Sequence, residues 1–69
     1  MNALTIDQVS VDSMRKIYQG ASVVGSCEYD NDAWCFWVSV AGSAGQVAVQ
    51  ELAQVLPKAA EMLAARGAK

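Results

Sequence analysis

The chain has 69 residues, 54% of them hydrophobic, and a net charge of -2 from five basic and seven acidic residues. This length predicts a single domain over residues 1–69, whose core is marginal unless a partner covers part of its apolar surface. An acidic composition without a basic stripe argues against binding to nucleic acid and favours contact with a basic protein surface.

The N-terminal part of the chain fits two alternative interpretations. Residues 1–10 suit either a short edge strand or an extended arm. After them, Asp12 fits as a helix N-cap and Gly20 as a left-handed C-terminal residue, which predicts a short helix over residues 12–19. A strand through Met14–Tyr18 is the competing interpretation. The apolar residues of the predicted helix recur at three- and four-residue steps: Val11, Met14, Ile17 and Tyr18.

Residues 22–40 predict an antiparallel β-hairpin that turns at Asp30-Asn31-Asp32, since these residue types tolerate left-handed conformations. We expect Tyr29 to pair with Trp34, around either a two-residue turn at Asn31-Asp32 or a four-residue loop in the same register. This register collects the apolar residues on one face: Val23, Cys27, Tyr29, Trp34, Phe36, Val38 and Val40. The other face is largely polar and exposes a tryptophan: Val24, Ser26, Glu28, Asp30, Ala33, Cys35, Trp37 and Ser39.

A long C-terminal helix is predicted over roughly residues 44–66. Ser43 and Gln46 form a capping box at its start, and Gly67 follows its end. Pro57 lies inside this pattern, but the apolar spacing stays in phase across it, so we expect one helix kinked near Pro57. Two helices, the second beginning at the proline, are the alternative. The predicted fold is α+β: a short N-terminal helix, an antiparallel hairpin, and a long helix packed on the hairpin.

The predicted long helix carries an apolar arc about 200° wide, roughly twice the stripe that docking on one core requires. One side of the arc can cover the hairpin, and the remainder needs a second surface. The simplest such surface is the same helix of a second copy, which predicts a homodimer. A heptad-like seam is the predicted dimer interface: Val49, Leu52, Leu56, Ala59 and Leu63.

The residue types argue against catalysis and metal binding. The chain has two cysteines and no histidine, so neither Cys27 nor Cys35 has the usual base of a nucleophilic site. Two isolated thiols without a Cys-x-x-Cys pair do not make a zinc site. We therefore expect no catalytic residue, no cofactor and no metal. The N-terminal sequence lacks the basic and apolar regions of a signal peptide, and no apolar run approaches the ~18 residues that span a bilayer, so we expect a cytoplasmic protein without a membrane segment.

The acidic end of the hairpin is the strongest candidate for a binding surface. Aromatic side chains beside carboxylates suit an arginine-rich partner, through cation–π contacts and ion pairs. The predicted partner-binding residues are Glu28, Tyr29, Asp30, Asp32 and Trp37, with Trp34 as a further candidate. The competing interpretation is that Trp37 is covered by the N-terminal segment or a dimer partner.

The chain as a whole resembles a family of small early proteins of temperate phages, the anti-activators of host quorum sensing. The likeness lies in its length, its opening Met-Asn-Ala-Leu-Thr-Ile-Asp-Gln-Val-Ser, its cysteine-containing aromatic hairpin and its alanine-rich helical end. It covers the full chain and rests on this overall pattern, so no family contact residue is carried over to a position here.

The resemblance implies a homodimer that acts in the host cytoplasm. It implies binding to the quorum-sensing transcription activator LasR at its DNA-binding region, which keeps that activator off promoters. It also implies inhibition of PilB, the ATPase of type IV pilus assembly. The alternatives are an anti-CRISPR-like inhibitor of another host machine and a structural interaction module.

Overall fold

The computed structural model describes residues 3–9, 13–43 and 45–67, with the backbone alone for residues 66 and 67. Over these ranges the chain forms an antiparallel sheet in the order β1-β2-β3-β4-β5, followed by one C-terminal helix. The fold is therefore α+β, with a larger sheet than one hairpin. Its elements are β1 (Leu4–Ile6), β2 (Met14–Gln19), β3 (Ser22–Asp30), β4 (Cys35–Val40), β5 (Val47–Val49), a 3₁₀ turn (Leu52–Gln54) and α1 (Val55–Gly67).

The predicted helix over residues 12–19 is wrong, because this segment contains β2 and the competing strand interpretation is the correct one. β2 pairs with β1 on one side and β3 on the other. Two ladders satisfy its backbone, whereas an isolated helix of this length is unstable in water. Gly20 does have a left-handed φ of 64°, but it lies in the tight turn between β2 and β3. The predicted N-cap Asp12 lies outside the described residues.

The predicted hairpin over residues 22–40 is confirmed as β3 and β4. The observed register pairs Tyr29 with Phe36 and Asp30 with Cys35, which leaves residues 31–34 as the loop. The register differs from the expected one by two residues, and a shift of two keeps each strand residue on its predicted face. Trp34 is the main exception, because it lies in the loop and is 73% exposed rather than on the apolar face.

A bulge between β2 and β3 corrects the face assignment at the far end of β3. The register shifts between Ile17 and Tyr18, which pair with Gly25 and Val23. The shift leaves one extra residue in β3, Val24, and reverses the alternation there. As a result Val24 packs against the core, whereas Val23 is exposed.

The predicted helix over residues 44–66 is wrong in its first half. Val47–Val49 form the edge strand β5, which pairs antiparallel with β4. Gln46 precedes this strand, so no helix begins at the predicted capping box with Ser43. The helix begins at Val55, and Pro57 is its third residue. Amides of the first helical turn have no partner within the helix, so the proline is tolerated there and no kink is needed.

The core lies between α1 and one face of the sheet, here called the inner face. Ile17 and Val38 are fully buried at its centre, with 0% exposure. The helix contributes residues at the three- and four-residue steps of a single stripe: Val55, Leu56, Ala59, Met62 and Leu63. Within the described ranges, no helix combines the length and apolar character needed to cross a membrane.

Candidate functional site

The sheet face opposite α1, here called the outer face, carries a row of residues across four strands. Met14, Glu28, Trp37 and Ala48 are successive cross-strand partners. Glu28 is exposed, Met14 is 44% exposed and Trp37 is half-buried. The structure thus brings together two predicted partner-binding residues, Glu28 and Trp37, as direct neighbours on a face that carries no helix in the described part of the chain.

Asp30 joins this row to the loop. Its carboxylate accepts hydrogen bonds from the Trp37 indole N–H at 3.2 Å and from the backbone N–H groups of Asp32 and Ala33 at 2.9 and 3.2 Å. These three donors, the Trp37 indole above all, lower the pKa of the Asp30 carboxyl. Asp30 therefore organises the loop and orients Trp37, and its lone pairs are largely committed to the protein itself.

This network predicts a loss of stability in acid. The folded protein holds Asp30 at a lower pKa than the unfolded chain does. Its contribution is therefore present above the carboxyl's unfolded pKa and is lost as the pH falls through the folded value. We expect Asp30→Asn to lower the urea midpoint at pH 7, measured by tryptophan fluorescence. As the pH is lowered toward about pH 3, the midpoint of this variant should fall less than that of the wild type.

The matched control for this measurement is Asp32→Asn. It removes a carboxylate from the same loop and leaves the hydrogen bonds to the Asp30 side chain in place. An Asp30→Asn variant that keeps the full acid dependence of the wild type would assign that dependence to other carboxyl groups.

Tyr29 does not belong with the other predicted partner-binding residues. It lies on the inner face, where its ring packs at 57° against Phe36 with the two centroids 4.9 Å apart. Both rings line an open cleft of about 300 Å³, together with Ser13, Arg15 and Cys27. Glu28 and Asp30 point to the opposite face. The structure thus divides the predicted site between the two faces of the sheet.

The two cysteines also lie on opposite faces, because Cys27 pairs with Val38 and Cys35 with Asp30. Both are buried free thiols. Burial raises the pKa of the Cys27 thiol, and the nearby Arg15 offsets only part of this effect. A thiol held in its protonated form is a poor nucleophile. Among the described residues, no group of three or more acidic, cysteine or histidine side chains could hold a metal ion.

The predicted seam residues do not form one helical stripe, because Val49 lies in β5 and Leu52 in the 3₁₀ turn. Val49 and Ala59 are buried in the core of the chain itself. Leu56 and Leu63 are partly buried and pack against that core. Leu52 is 39% exposed and is the seam residue most available to a second copy.

Trp34 is a surface residue that the expected register assigns to the second strand of the hairpin. It has a φ of 56°, in the left-handed region, at the end of the four-residue loop. A run of Asn31, Asp32 and Ala33 before the tryptophan is compatible with either loop length. The sequence therefore held no signal that would move Trp34 from the strand into the loop.

Comparisons with known proteins add no assignment to this geometry. No protein-family model matches the chain, and searches of curated proteins and of solved structures found no match.

Proposed function

We propose that this protein is a small inhibitor that acts by binding other proteins and not by catalysis. The observation that supports the proposal is the acidic end of the outer face. Glu28 in β3 is exposed beside its cross-strand partner, the half-buried Trp37, and Asp32 is exposed in the loop that follows β3. Carboxylates next to an aromatic ring match the chemistry of an arginine-rich protein surface.

The target class in this proposal is a transcription activator of the LasR type, bound at its DNA-binding region. Such a region is basic because it contacts phosphates, and an acidic module that occupies it excludes DNA. The resemblance to phage anti-activators adds a second target, a pilus assembly ATPase of the PilB type. Both targets are cytoplasmic, which places the proposed action in the cytoplasm of a host cell.

A competition experiment tests this function. We expect the protein to displace a purified LasR-type activator from fluorescently labelled promoter DNA, followed by fluorescence anisotropy. Glu28→Lys should raise the concentration needed for half displacement about tenfold, because it places a like charge against the basic surface. Failure of the unmodified protein to displace the activator from the DNA would refute the proposed action on this target.

The control is Glu61→Lys, which makes the same charge change on the helix. Glu61 is exposed and pairs only with its neighbour Lys58 at 2.8 Å in the described part of the chain. A surface pair of this kind contributes little to stability. We expect this variant to displace the activator as the unmodified protein does, and an equal loss in both variants would indicate a non-specific charge effect.

Homodimerisation is the second part of the proposal. Light scattering after gel filtration should give twice the chain mass of 7.3 kDa. Leu52→Asp should shift the protein toward the monomer, because an uncompensated charge in an apolar interface is unfavourable. Ala64→Asp, on the exposed side of α1, is the control and should keep the dimer. A monomeric wild-type protein at micromolar concentration would exclude the dimer.

A further inference from the structure

Trp34 combines two features that the fold itself does not require. Its side chain is 73% exposed, the largest exposure among the aromatic residues of the described ranges, and its φ of 56° is left-handed. A bulky side chain is rare in that region, which favours glycine and asparagine. Burial cannot offset the strain, because most of the indole remains in water.

The indole also makes no hydrogen bond or ring contact within the part of the chain that the structure describes. Trp37 differs, because its indole N–H donates to the Asp30 carboxylate. The fold therefore uses Trp37 and gains nothing comparable from the Trp34 side chain. Strained residues of this kind concentrate at binding and catalytic sites.

The loop nevertheless holds the backbone of Trp34 in a defined position. Its backbone N–H donates to the Asp30 carbonyl at 2.8 Å, and the Asp30 carboxylate accepts the N–H groups of Asp32 and Ala33. A fixed backbone lowers the conformational entropy that the residue loses on binding, and tryptophan is enriched among the residues that dominate protein interfaces.

We propose that Trp34 is the anchor of the binding surface and inserts into an apolar pocket with a basic rim on the partner protein. The pocket is inferred to be apolar because it receives an indole, and its rim to be basic because exposed Asp32 lies in the same loop. The same acidic loop disfavours an anionic membrane as the ligand. This inference rests on the proposed function and names the residue that carries its affinity.

Two glycine substitutions separate binding from strain. Trp34→Gly removes the indole and relieves the left-handed conformation, whereas Ser13→Gly relieves the same strain at the second such residue, with φ 66°, and removes no aromatic ring. We expect both variants to unfold at the same or a higher urea concentration than the wild type. In calorimetric titration with the DNA-binding region of a LasR-type activator, Trp34→Gly should bind at least tenfold more weakly and Ser13→Gly as the wild type does.

Each other outcome overturns a specific part of the argument. Equal binding of the wild type and Trp34→Gly would overturn the anchor and leave the proposed function in place. A wild-type protein that does not bind the activator would overturn the proposed function, and the anchor with it. A Trp34→Gly variant that unfolds more easily would show that the indole stabilises the fold. Binding of the wild type to anionic phosphatidylserine vesicles, lost in Trp34→Gly, would replace the protein pocket with a lipid surface.

Discussion

Gly25→Ala is expected to remove most of the folding stability of the protein. Gly25 lies in β3 opposite Val40 of β4. A Cβ added there would overlap the backbone oxygen of Ser39 and lie 3.1 Å from the Val40 Cα. Both atoms belong to the main chain of the neighbouring strand, so no side-chain rotation relieves the overlap. The two strands would have to separate locally.

The expected loss is about 3 kcal/mol, at the upper end of overpacking effects. A domain of this size has a total stability of roughly 3–5 kcal/mol, so only about 0–2 kcal/mol should remain and the urea midpoint should fall sharply. Urea denaturation followed by far-ultraviolet circular dichroism measures the effect.

Gly45→Ala is the matched control, because its Cβ would meet nothing within 4 Å but its φ is +85°. It should lose only about 1–2 kcal/mol, the penalty for a left-handed alanine. A smaller loss of unfolding free energy for Gly25→Ala than for Gly45→Ala would show that β3 and β4 separate at a lower energetic cost than their register implies.

The faces of the hairpin could be predicted from the sequence because side chains alternate with a period of two. The expected and observed registers differ by two residues, and this difference leaves Cys27, Phe36 and Val38 on the inner face. The same difference in register changes the position of Trp34, because the register decides whether that residue begins the strand or ends the loop. Loop length depends on backbone conformations at residues 31–34 that several residue types can adopt.

The strands outside the hairpin could not be predicted with the same success. Met14–Gln19 and Val47–Val49 are short, and their apolar spacing fits either a helix or a strand. What decides between the two is pairing with β3 and β4, across residues 20–21 and 41–46 respectively. Pro57 did carry a usable signal, because proline is common in the first helical turn and rare in a helix interior.

The residues of the candidate site could be predicted from the sequence only in part. Glu28, Asp30 and Trp37 lie on one face, as alternation required. Sequence adjacency groups Tyr29 with them, but its side chain alternates with those of Glu28 and Asp30 along β3 and therefore lies on the inner face. The Asp30 carboxylate is among the predicted partner-binding groups, but hydrogen bonds within the hairpin largely occupy it. Sequence proximity indicated the surface, but the sheet decides which of its side chains are free.

Ile17→Ala is expected to be the most damaging of the simple core truncations. Ile17 is fully buried at the centre of the inner face and belongs to the cluster that α1 covers. Removing three buried carbon atoms from such a site costs about 2–5 kcal/mol, which is comparable with the roughly 3–5 kcal/mol expected for the whole domain. Ile17→Val should lose only about 0.5–1.5 kcal/mol, and Val9→Ala, at a position that is 76% exposed, less than about 0.5 kcal/mol.

The secondary structure of β2 adds to the effect of Ile17→Ala. Alanine has a higher helix propensity than isoleucine and a lower strand propensity. In a helix, the gain in propensity would offset part of the lost burial, whereas in β2 the two losses add. Urea denaturation should show a larger loss for Ile17→Ala than for Val55→Ala in α1, because one more buried carbon is removed and because the change in propensity adds to the loss in β2. The reverse order would indicate that residues 14–19 contribute less to the core than their position between β1 and β3 requires.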